Sequence, residues 1–170
     1  MKTNFLATFM IVAGFFILVA TSAVYLYKNS QGAKSPTKSD YSNQTFDSPS
    51  RIVIKKIGVD VPVKVAQNYQ FSDREAIFIK TSQSIGSGNS VIYAHNWDKL
   101  FGKLKRAKVG DDIAIFLANG RQVDYQVSQI HTVPAETINI LKETPDSRLT
   151  LFTCTGFLDK DRLVVVAKQI

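Results

Sequence analysis

Cysteine and histidine are almost missing from this chain, which has one cysteine and two histidines among its 170 residues. A disulfide needs two thiols, so the single Cys154 excludes a disulfide within the chain. The three side chains lie far apart in sequence, and no run of carboxylates has the spacing of metal ligands, so we predict no metal site. A glycine-rich phosphate loop is also absent, and we expect no cofactor.

Charged residues are missing from Thr3 to Tyr27. At 1.5 Å per residue, a helix of this length spans roughly 37 Å, enough to cross a hydrocarbon layer of about 30 Å. The pattern predicts a transmembrane anchor over residues 1–27. A cleaved signal peptide is the alternative, with Lys2 as its basic end and Thr21-Ser22-Ala23 as a cleavage site. Either interpretation places the rest of the chain outside the cytoplasm.

Apolar residues are scarce in the next segment, from Lys28 to Ser50, where Ser, Asn, Gln, Thr and Lys dominate. Such a composition offers little to bury and is typical of a flexible linker. We therefore divide the chain into an anchor or signal peptide at residues 1–27, a polar linker at 28–50 and one folded domain at 51–170.

Short runs of β-branched residues, separated by turn residues, fill the predicted domain. In VDVPVKVA, Val59 to Ala66, valine recurs at every second position, which is the period of a strand. Pro62 within it lacks an N–H and should lie at an edge or bulge. Asn119-Gly120 predicts a hairpin turn. About eight such strands without alternating helices favour a mostly β fold, a closed and mainly antiparallel barrel.

Helical periodicity is limited to one clear segment, from about Asp98 to Lys108, with Asp98 as the candidate N-cap. A second short helix is expected around Glu136 to Leu141. The first helix contains the basic run KLKRAK, Lys103 to Lys108. This run fits a solvated helix face, and it also fits contact with anionic wall or headgroup polymers.

Cys154 lies at the end of one predicted strand, and Arg162 lies at the start of the next. An unpaired cysteine is either an inert core residue or a nucleophile. A nucleophile needs a proton carrier and a positive group for the developing oxyanion. His95, at the end of VIYAH, and His131, in an alternating polar stretch, are the candidate proton carriers.

LTLFTC, ending at Cys154, is followed eight residues later by Arg162, and GNSVIYAHN carries His95. Together with RIVIKKIGVDVPV near the start of the domain, these stretches resemble the motifs of the sortases, the cell-wall cysteine transpeptidases of bacteria. LFGKLKRAKVGDDI is similar to the helix and turn that follow in that family. The likeness covers about Arg51 to Lys168.

The resemblance implies an eight-stranded sortase-type β-barrel with one or two short helices. It implies that Cys154 is the nucleophile, His95 the general acid and base, and Arg162 the group that stabilises the oxyanion. Thr153, the residue before the nucleophile, would help to shape the substrate pocket. His131 has no matching role.

The function implied by this resemblance is cleavage of an LPxTG-like sorting motif, between Thr and Gly, in surface proteins. A thioester acyl-enzyme would then transfer the acyl group to an amine of the cell wall. The implied partners are proteins with a carboxy-terminal sorting motif and a peptidoglycan amine, and not nucleic acid. The implied location is the bacterial plasma membrane, crossed once, with the catalytic domain outside.

Two alternatives stay open at this point. One is the same chemistry with a pilin lysine as the acceptor, and the other is a catalytically silent barrel that binds wall polymers through its basic face and buries Cys154. The sequence departs from the family where Ile54-Lys55-Lys56 replaces the frequent Ile-Pro-Lys. It shows no second apolar span before Ile170, and FDSPS, Phe46 to Ser50, is a poor match to a lid motif. These last two features favour protein anchoring over pilin polymerisation.

Overall fold

The computed structural model describes residues 48–79 and 82–170, all within one compact unit. Within these residues the chain forms eight β-strands, which confirms the predicted strand number. Their bounds are β1 Pro49–Ile54, β2 Val59–Ala66, β3 Ala76–Ile79, β4 Asn89–Tyr93, β5 Asp112–Leu117, β6 Gln122–Pro134, β7 Arg148–Thr155 and β8 Asp161–Gln169.

The anchor predicted for residues 1–27 lies outside the described residues, as does most of the linker. Pro49 and Ser50, assigned to the linker from sequence, are the first residues of β1. In the part of the chain that the structure describes, no helix is both long and apolar enough to span a bilayer.

The strands close into a barrel in the order β1-β2-β3-β4-β7-β8-β6-β5. Within this described barrel, the β2–β3 and β4–β7 pairs are parallel and the other neighbours are antiparallel. The predicted closed and mainly antiparallel barrel is therefore confirmed. The parallel β4–β7 pair is important for the site, because both strands end at the same edge of the sheet.

Alternating side chains build the barrel interior. In β2, Val59, Val61 and Val63 are buried and the residues between them are exposed, as the period of two predicts. Pro62 pairs with Arg51 of β1, and the ladder to β3 begins one residue later at Val63. Pro62 therefore lies at the margin of the β3 ladder, where its missing N–H breaks no bond of that ladder.

The helix predicted from Asp98 to Lys108 is wrong in type and length, since only a 3₁₀ helix forms, at Gly102–Arg106. Its N-cap is Phe101, not Asp98, and no side chain caps it. The amides of Leu100 and Gly102 both donate to the Trp97 carbonyl, which winds the chain into tight turns instead of α-helix. The apolar face was predicted correctly, because Leu100, Phe101 and Leu104 are buried.

The second predicted helix is also a short 3₁₀ helix, at Ile138–Leu141. It lies in the connection between β6 and β7. Further 3₁₀ turns are found at Lys55–Ile57 and Phe157–Asp159. The basic run at Lys103 to Lys108 therefore occupies a 3₁₀ turn and its flank, where Lys105, Arg106 and Lys108 are exposed.

A second apolar cluster covers the outer face of the barrel, separate from the interior core. It includes Tyr93 of β4, Phe152 of β7 and Val164 of β8, which are adjacent across the sheet. The rings of Tyr93 and Phe152 stack with centroids 5.1 Å apart. The candidate active site lies next to this cluster, on the same outer face of the barrel.

Candidate active site

Strand register brings three of the predicted site residues to one level of the barrel. Cys154 of β7 is the direct partner of Arg162 of β8. On the other side of β7, Tyr93 of β4 pairs with Phe152 in parallel, so His95 and Cys154 both stand two residues beyond that pair. Neighbouring strands lie about 4.8 Å apart. His95, Cys154 and Arg162 therefore form one row, with His95 just beyond the end of β4, Cys154 on β7 and Arg162 on β8.

The row lies on the outer face of the barrel. Side chains alternate between the two faces of a strand, so Cys154 projects to the same side as Phe152, and Arg162 to the same side as Val164. Cys154 is only partly buried, and the His95 side chain is 28% exposed. Cys154 therefore lies at the outer surface of the barrel and is not sealed in the core.

Thr153 faces the opposite way from Cys154 and is 2% exposed. Its hydroxyl donates to the carbonyl oxygen of Ala94 at 2.8 Å. This bond ties the strand that carries the nucleophile to the residue just before His95. Thr153 therefore lies behind the reactive row and does not line a cavity in front of it.

His95 follows β4 and is enclosed by aromatic rings. The ring of Phe71 stacks on the imidazole at 4.5 Å between centroids and 26° between planes. The ring of Trp97 stacks on it at 4.4 Å and 10°. The Nε2 atom lies 4.0 Å from a carboxylate oxygen of the exposed Asp73.

Arg162 is anchored to the turn that joins β7 and β8. Its Nη1 donates to the carbonyl oxygens of Asp159 at 2.8 Å and Asp161 at 2.9 Å. Leu158 and Asp159 both adopt positive φ, at 55° and 58°, which is unusual for residues other than glycine. Since a guanidinium has five N–H donors, the anchored side chain still has donors to offer a substrate oxygen.

The protonation of Cys154 reflects opposing influences. Burial raises the pKa of the Cys154 thiol, the charge of Arg162 lowers this pKa, and the charge of Asp159 raises it. Burial is the largest of these effects, so the net pKa is raised. The thiol is therefore neutral in most molecules near pH 7, and Arg162 is the nearby charge that favours the thiolate.

Replacing Asp159 with asparagine is expected to lower the pKa of the Cys154 thiol, because it removes a negative charge that disfavours the thiolate. The pH dependence of the rate of thiol alkylation, measured on the full-length chain, reports this pKa. Its midpoint should move to lower pH in Asp159→Asn. The control Asp112→Asn removes an exposed carboxylate on β5, across the barrel, and should leave the midpoint in place. A midpoint unchanged or raised in Asp159→Asn would contradict the assignment.

A cavity of about 290 Å³ lies on the same outer face, two residues along the strands from the reactive row. Its floor comes from β6, β7 and β8, and the β6–β7 connection covers it. The lining mixes apolar and polar side chains, including Val133, Ile140, Val164, Val166, His131 and Lys142. His131, to which the resemblance assigned no role, is thus part of this groove.

Asn89 fastens the β6–β7 connection over this cavity. It is 4% exposed, and its Nδ2 donates to the carbonyl oxygens of Ile140 at 3.0 Å and Lys142 at 2.9 Å. The Thr150 hydroxyl donates to Asn89 Oδ1 at 2.6 Å. One buried side chain therefore holds the wall of the groove against β7.

Aromatic residues around the row were missed from sequence. Tyr69 and Phe71 lie in the β2–β3 connection, and Tyr69 stacks on Tyr93 at 4.6 Å. Burial, together with Tyr93, raises the pKa of Tyr69 to about 12, and the charges of Arg162 and Cys154 also act on this pKa. Tyr69 therefore stands near the nucleophile. These two aromatic residues lie in a polar connection without periodicity, so the sequence offered no signal that linked them to the site.

Among residues 48–79 and 82–170, no group of three or more His, Cys, Asp or Glu side chains is placed to hold a metal ion. The reactive row itself brings together a thiol, an imidazole and a guanidinium. Such a set fits nucleophilic acyl transfer.

The family model of the sortase domain matches residues 52–170. The chain belongs to the sortase family. Members of this family are cysteine transpeptidases, and the matched region contains the whole row of His95, Cys154 and Arg162.

Among relatives, sortase A of Bacillus anthracis is 25% identical over 141 residues, covering 79% of this chain and 67% of that protein. Sortase A of Listeria monocytogenes serovar 1/2a is 29% identical over 83 residues, covering 46% of this chain and 36% of that protein. The chain thus spans about two thirds of one relative and about a third of the other in these matches.

Solved sortase structures share the barrel. A pilus-related sortase C of Group B Streptococcus superimposes with a TM-score of 0.64 at 28% identity, covering 73% of this chain and 68% of that one. Sortase A of Corynebacterium diphtheriae superimposes with a TM-score of 0.67 at 24% identity, covering 81% and 70%. The second likeness supports the fold alone.

Proposed function

We propose that this sortase cleaves an LPxTG-like sorting motif in surface proteins and transfers the new acyl group to an amine of the cell wall. The observation that carries the proposal is the row itself, in which the partly exposed Cys154 of β7 stands between His95, just beyond the end of β4, and Arg162 of β8. Membership of the sortase family supports the same chemistry.

Acylation begins when the Cys154 thiol gives its proton to His95 and the resulting thiolate attacks the carbonyl carbon of the motif. The carbonyl oxygen becomes an oxyanion, which accepts hydrogen bonds from Arg162, a side chain that stays charged at every relevant pH. The C–N bond then breaks, and protonated His95 gives its proton to the leaving amine. A thioester on Cys154 and a neutral His95 result.

Deacylation reverses these roles. An incoming amine attacks the thioester carbon, neutral His95 takes a proton from this amine, and the C–S bond breaks to restore the sulfur. Arg162 again faces the oxyanion. The peptide product leaves with a new amide bond, so one amide is exchanged for another and no oxidant, metal or cofactor is consumed.

The groove beside the row suits an extended peptide that approaches Cys154 from the β6–β7 side. Val133, Ile140, Val164 and Val166 offer apolar contact for the first residues of the motif. Asn89 holds the groove wall. We assign Thr153 to positioning instead of substrate contact, since it is buried and bonded to the carbonyl of Ala94.

The acceptor separates two candidate functions. Transfer to a peptidoglycan amine is the proposal, and transfer to a pilin lysine is the second candidate, favoured by the similarity to a pilus-related sortase C. The silent wall-binding barrel needs a buried cysteine, and the partial exposure of Cys154 argues against it. Attachment to the plasma membrane through residues 1–27, with the catalytic domain outside, belongs to the same proposal.

The direct test is capture of the acyl-enzyme. The full-length chain is incubated with a library of LPxTG-type peptides without an acceptor amine, and its intact mass is measured. We expect a mass increase equal to the acyl fragment, located on Cys154 and released by hydroxylamine. Adding glycine amide or a pilin-type lysine peptide then shows which amine is used. A chain that cleaves no peptide in the library and gains no such mass would contradict the proposal.

A further inference from the structure

The imidazole of His95 is held between two aromatic side chains that no sortase motif in this sequence contains. Phe71 comes from the β2–β3 connection, and Trp97 stands two residues after His95. Their ring centroids lie 4.5 Å and 4.4 Å from the imidazole, and both planes are within 26° of parallel. One face of an imidazole is too small for two rings at these distances, so the two rings lie on opposite faces.

Each of the two rings is supported by its own neighbours. Phe71 packs edge-on against Tyr93 at 5.2 Å and against Tyr69 at 6.2 Å. Trp97 is fixed through its backbone, since its carbonyl accepts from the amides of Leu100 at 2.8 Å and Gly102 at 2.9 Å. A Cβ on Gly102 would lie 2.7 Å from the Trp97 backbone, so glycine allows this close approach. Both rings are therefore placed by the fold and not by His95 alone.

Both rings are also partly exposed, which argues against a role in the core. Phe71 and Trp97 are each 42% exposed, and neither belongs to the interior cluster. Singly exposed apolar side chains are common on protein surfaces, so exposure alone assigns no function to these rings. For these two rings the shared contact is His95.

We propose that Phe71 and Trp97 are positioning residues that clamp the His95 imidazole in one plane during both proton transfers. The inference rests on the proposed function and adds two residues to it. Stacking on both faces blocks rotation of the ring about its Cβ–Cγ bond and leaves only its edges, which carry the two nitrogens, open to reacting groups. Proton transfer needs a donor and acceptor within hydrogen-bond reach, and a misplacement of about 1 Å can cost roughly a hundredfold in rate.

The clamp predicts a signature that does not depend on activity. Rings stacked on both faces shift the carbon-bound ring protons of His95 upfield, whereas His131 is exposed. With only two histidines in the sequence, selective histidine labelling of the full-length chain gives two ring spin systems, which His131→Gln assigns. In Phe71→Leu and in Trp97→Leu the His95 signals should move back toward those of His131. Phe116→Leu, on β5 across the barrel, should leave them in place.

The kinetic test uses an LPxTG peptide with glycine amide as the acceptor. Phe71→Leu and Trp97→Leu are expected to lower kcat by about 10- to 100-fold with KM changed by less than about threefold, since orientation and not binding is lost. Phe71→Tyr and Trp97→Phe, which keep a ring, should recover most of kcat. Retention of full kcat in both leucine variants, or His95 signals that do not move in either, would overturn the clamp. Failure of the proposed function would look different, because the wild type would then lack activity while the ring shifts remained.

Discussion

Replacing Cys154 with alanine is expected to reduce cleavage and transfer to background, a loss of at least about a thousandfold in kcat. The thiol is the atom group that forms the thioester, and no other cysteine exists in the chain to replace it. Arg162 and His95 cannot form an acyl-enzyme without it. Release of the peptide fragment and formation of the amide product, both followed by chromatography with an LPxTG peptide and glycine amide, measure the loss.

The fold should survive this change, so the loss can be assigned to chemistry. Cys154 is only partly buried at the end of β7, and its side chain belongs to neither apolar cluster. Surface substitutions of this kind usually change the free energy of unfolding by about 0.5 kcal/mol or less. The thermal midpoint of Cys154→Ala should therefore match the wild type. Cleavage at the wild-type rate in this variant would end the enzyme assignment.

The barrel was predictable because its strands are encoded locally. Alternation of valine in β2 and the Asn119-Gly120 turn between β5 and β6 specify strands and a hairpin from a few neighbouring residues. The order of strands around the barrel is different, since β4 pairs with β7 across some 59 residues of sequence. Local periodicity contains no information on that pairing, so only the family resemblance suggested that His95 and Cys154 meet.

The helix error has a specific cause. Leu100, Phe101 and Leu104 repeat at helical spacing, and all three are buried as a helix face would be. Tight turns that end in a 3₁₀ helix give the same spacing of buried side chains. The Trp97 carbonyl accepts from two amides, those of Leu100 and Gly102, and these bonds stabilise the turns. Periodicity predicts which side chains are buried. It does not predict the hydrogen-bond pattern of the backbone between them.

Loop residues escaped prediction for a related reason. Tyr69 and Phe71 belong to a polar connection without periodicity, so nothing in their spacing connects them to His95. Thr153 was noticed for its place beside Cys154, and strand alternation turns its side chain to the other face. Neighbours in sequence are therefore on opposite sides of the sheet, whereas distant residues share the row.

Replacing Arg162 with lysine is expected to lower kcat by about 100- to 1000-fold, the cost typical of losing an oxyanion donor. Arg162 already uses Nη1 to bond the carbonyls of Asp159 and Asp161, and its other donors point from a fixed plane. The ammonium of a lysine has no such plane. When it donates to the carbonyls of the turn, its remaining N–H groups are not directed toward the oxyanion. Single-turnover acylation of the full-length chain by an LPxTG peptide measures this step.

Two comparisons separate donor geometry from charge. Arg51→Lys removes a comparable guanidinium group, which donates hydrogen bonds to Asp60 on the far side of the barrel, and should leave kcat unchanged. Arg162→Lys keeps a positive charge beside Cys154, so the pKa of the thiol should stay close to that of the wild type, whereas Arg162→Gln should raise it. A lysine variant with a normal thiol pKa and slow acylation would assign Arg162 to the oxyanion. Near-normal acylation in that variant would limit Arg162 to a charge effect and leave Cys154 as the nucleophile.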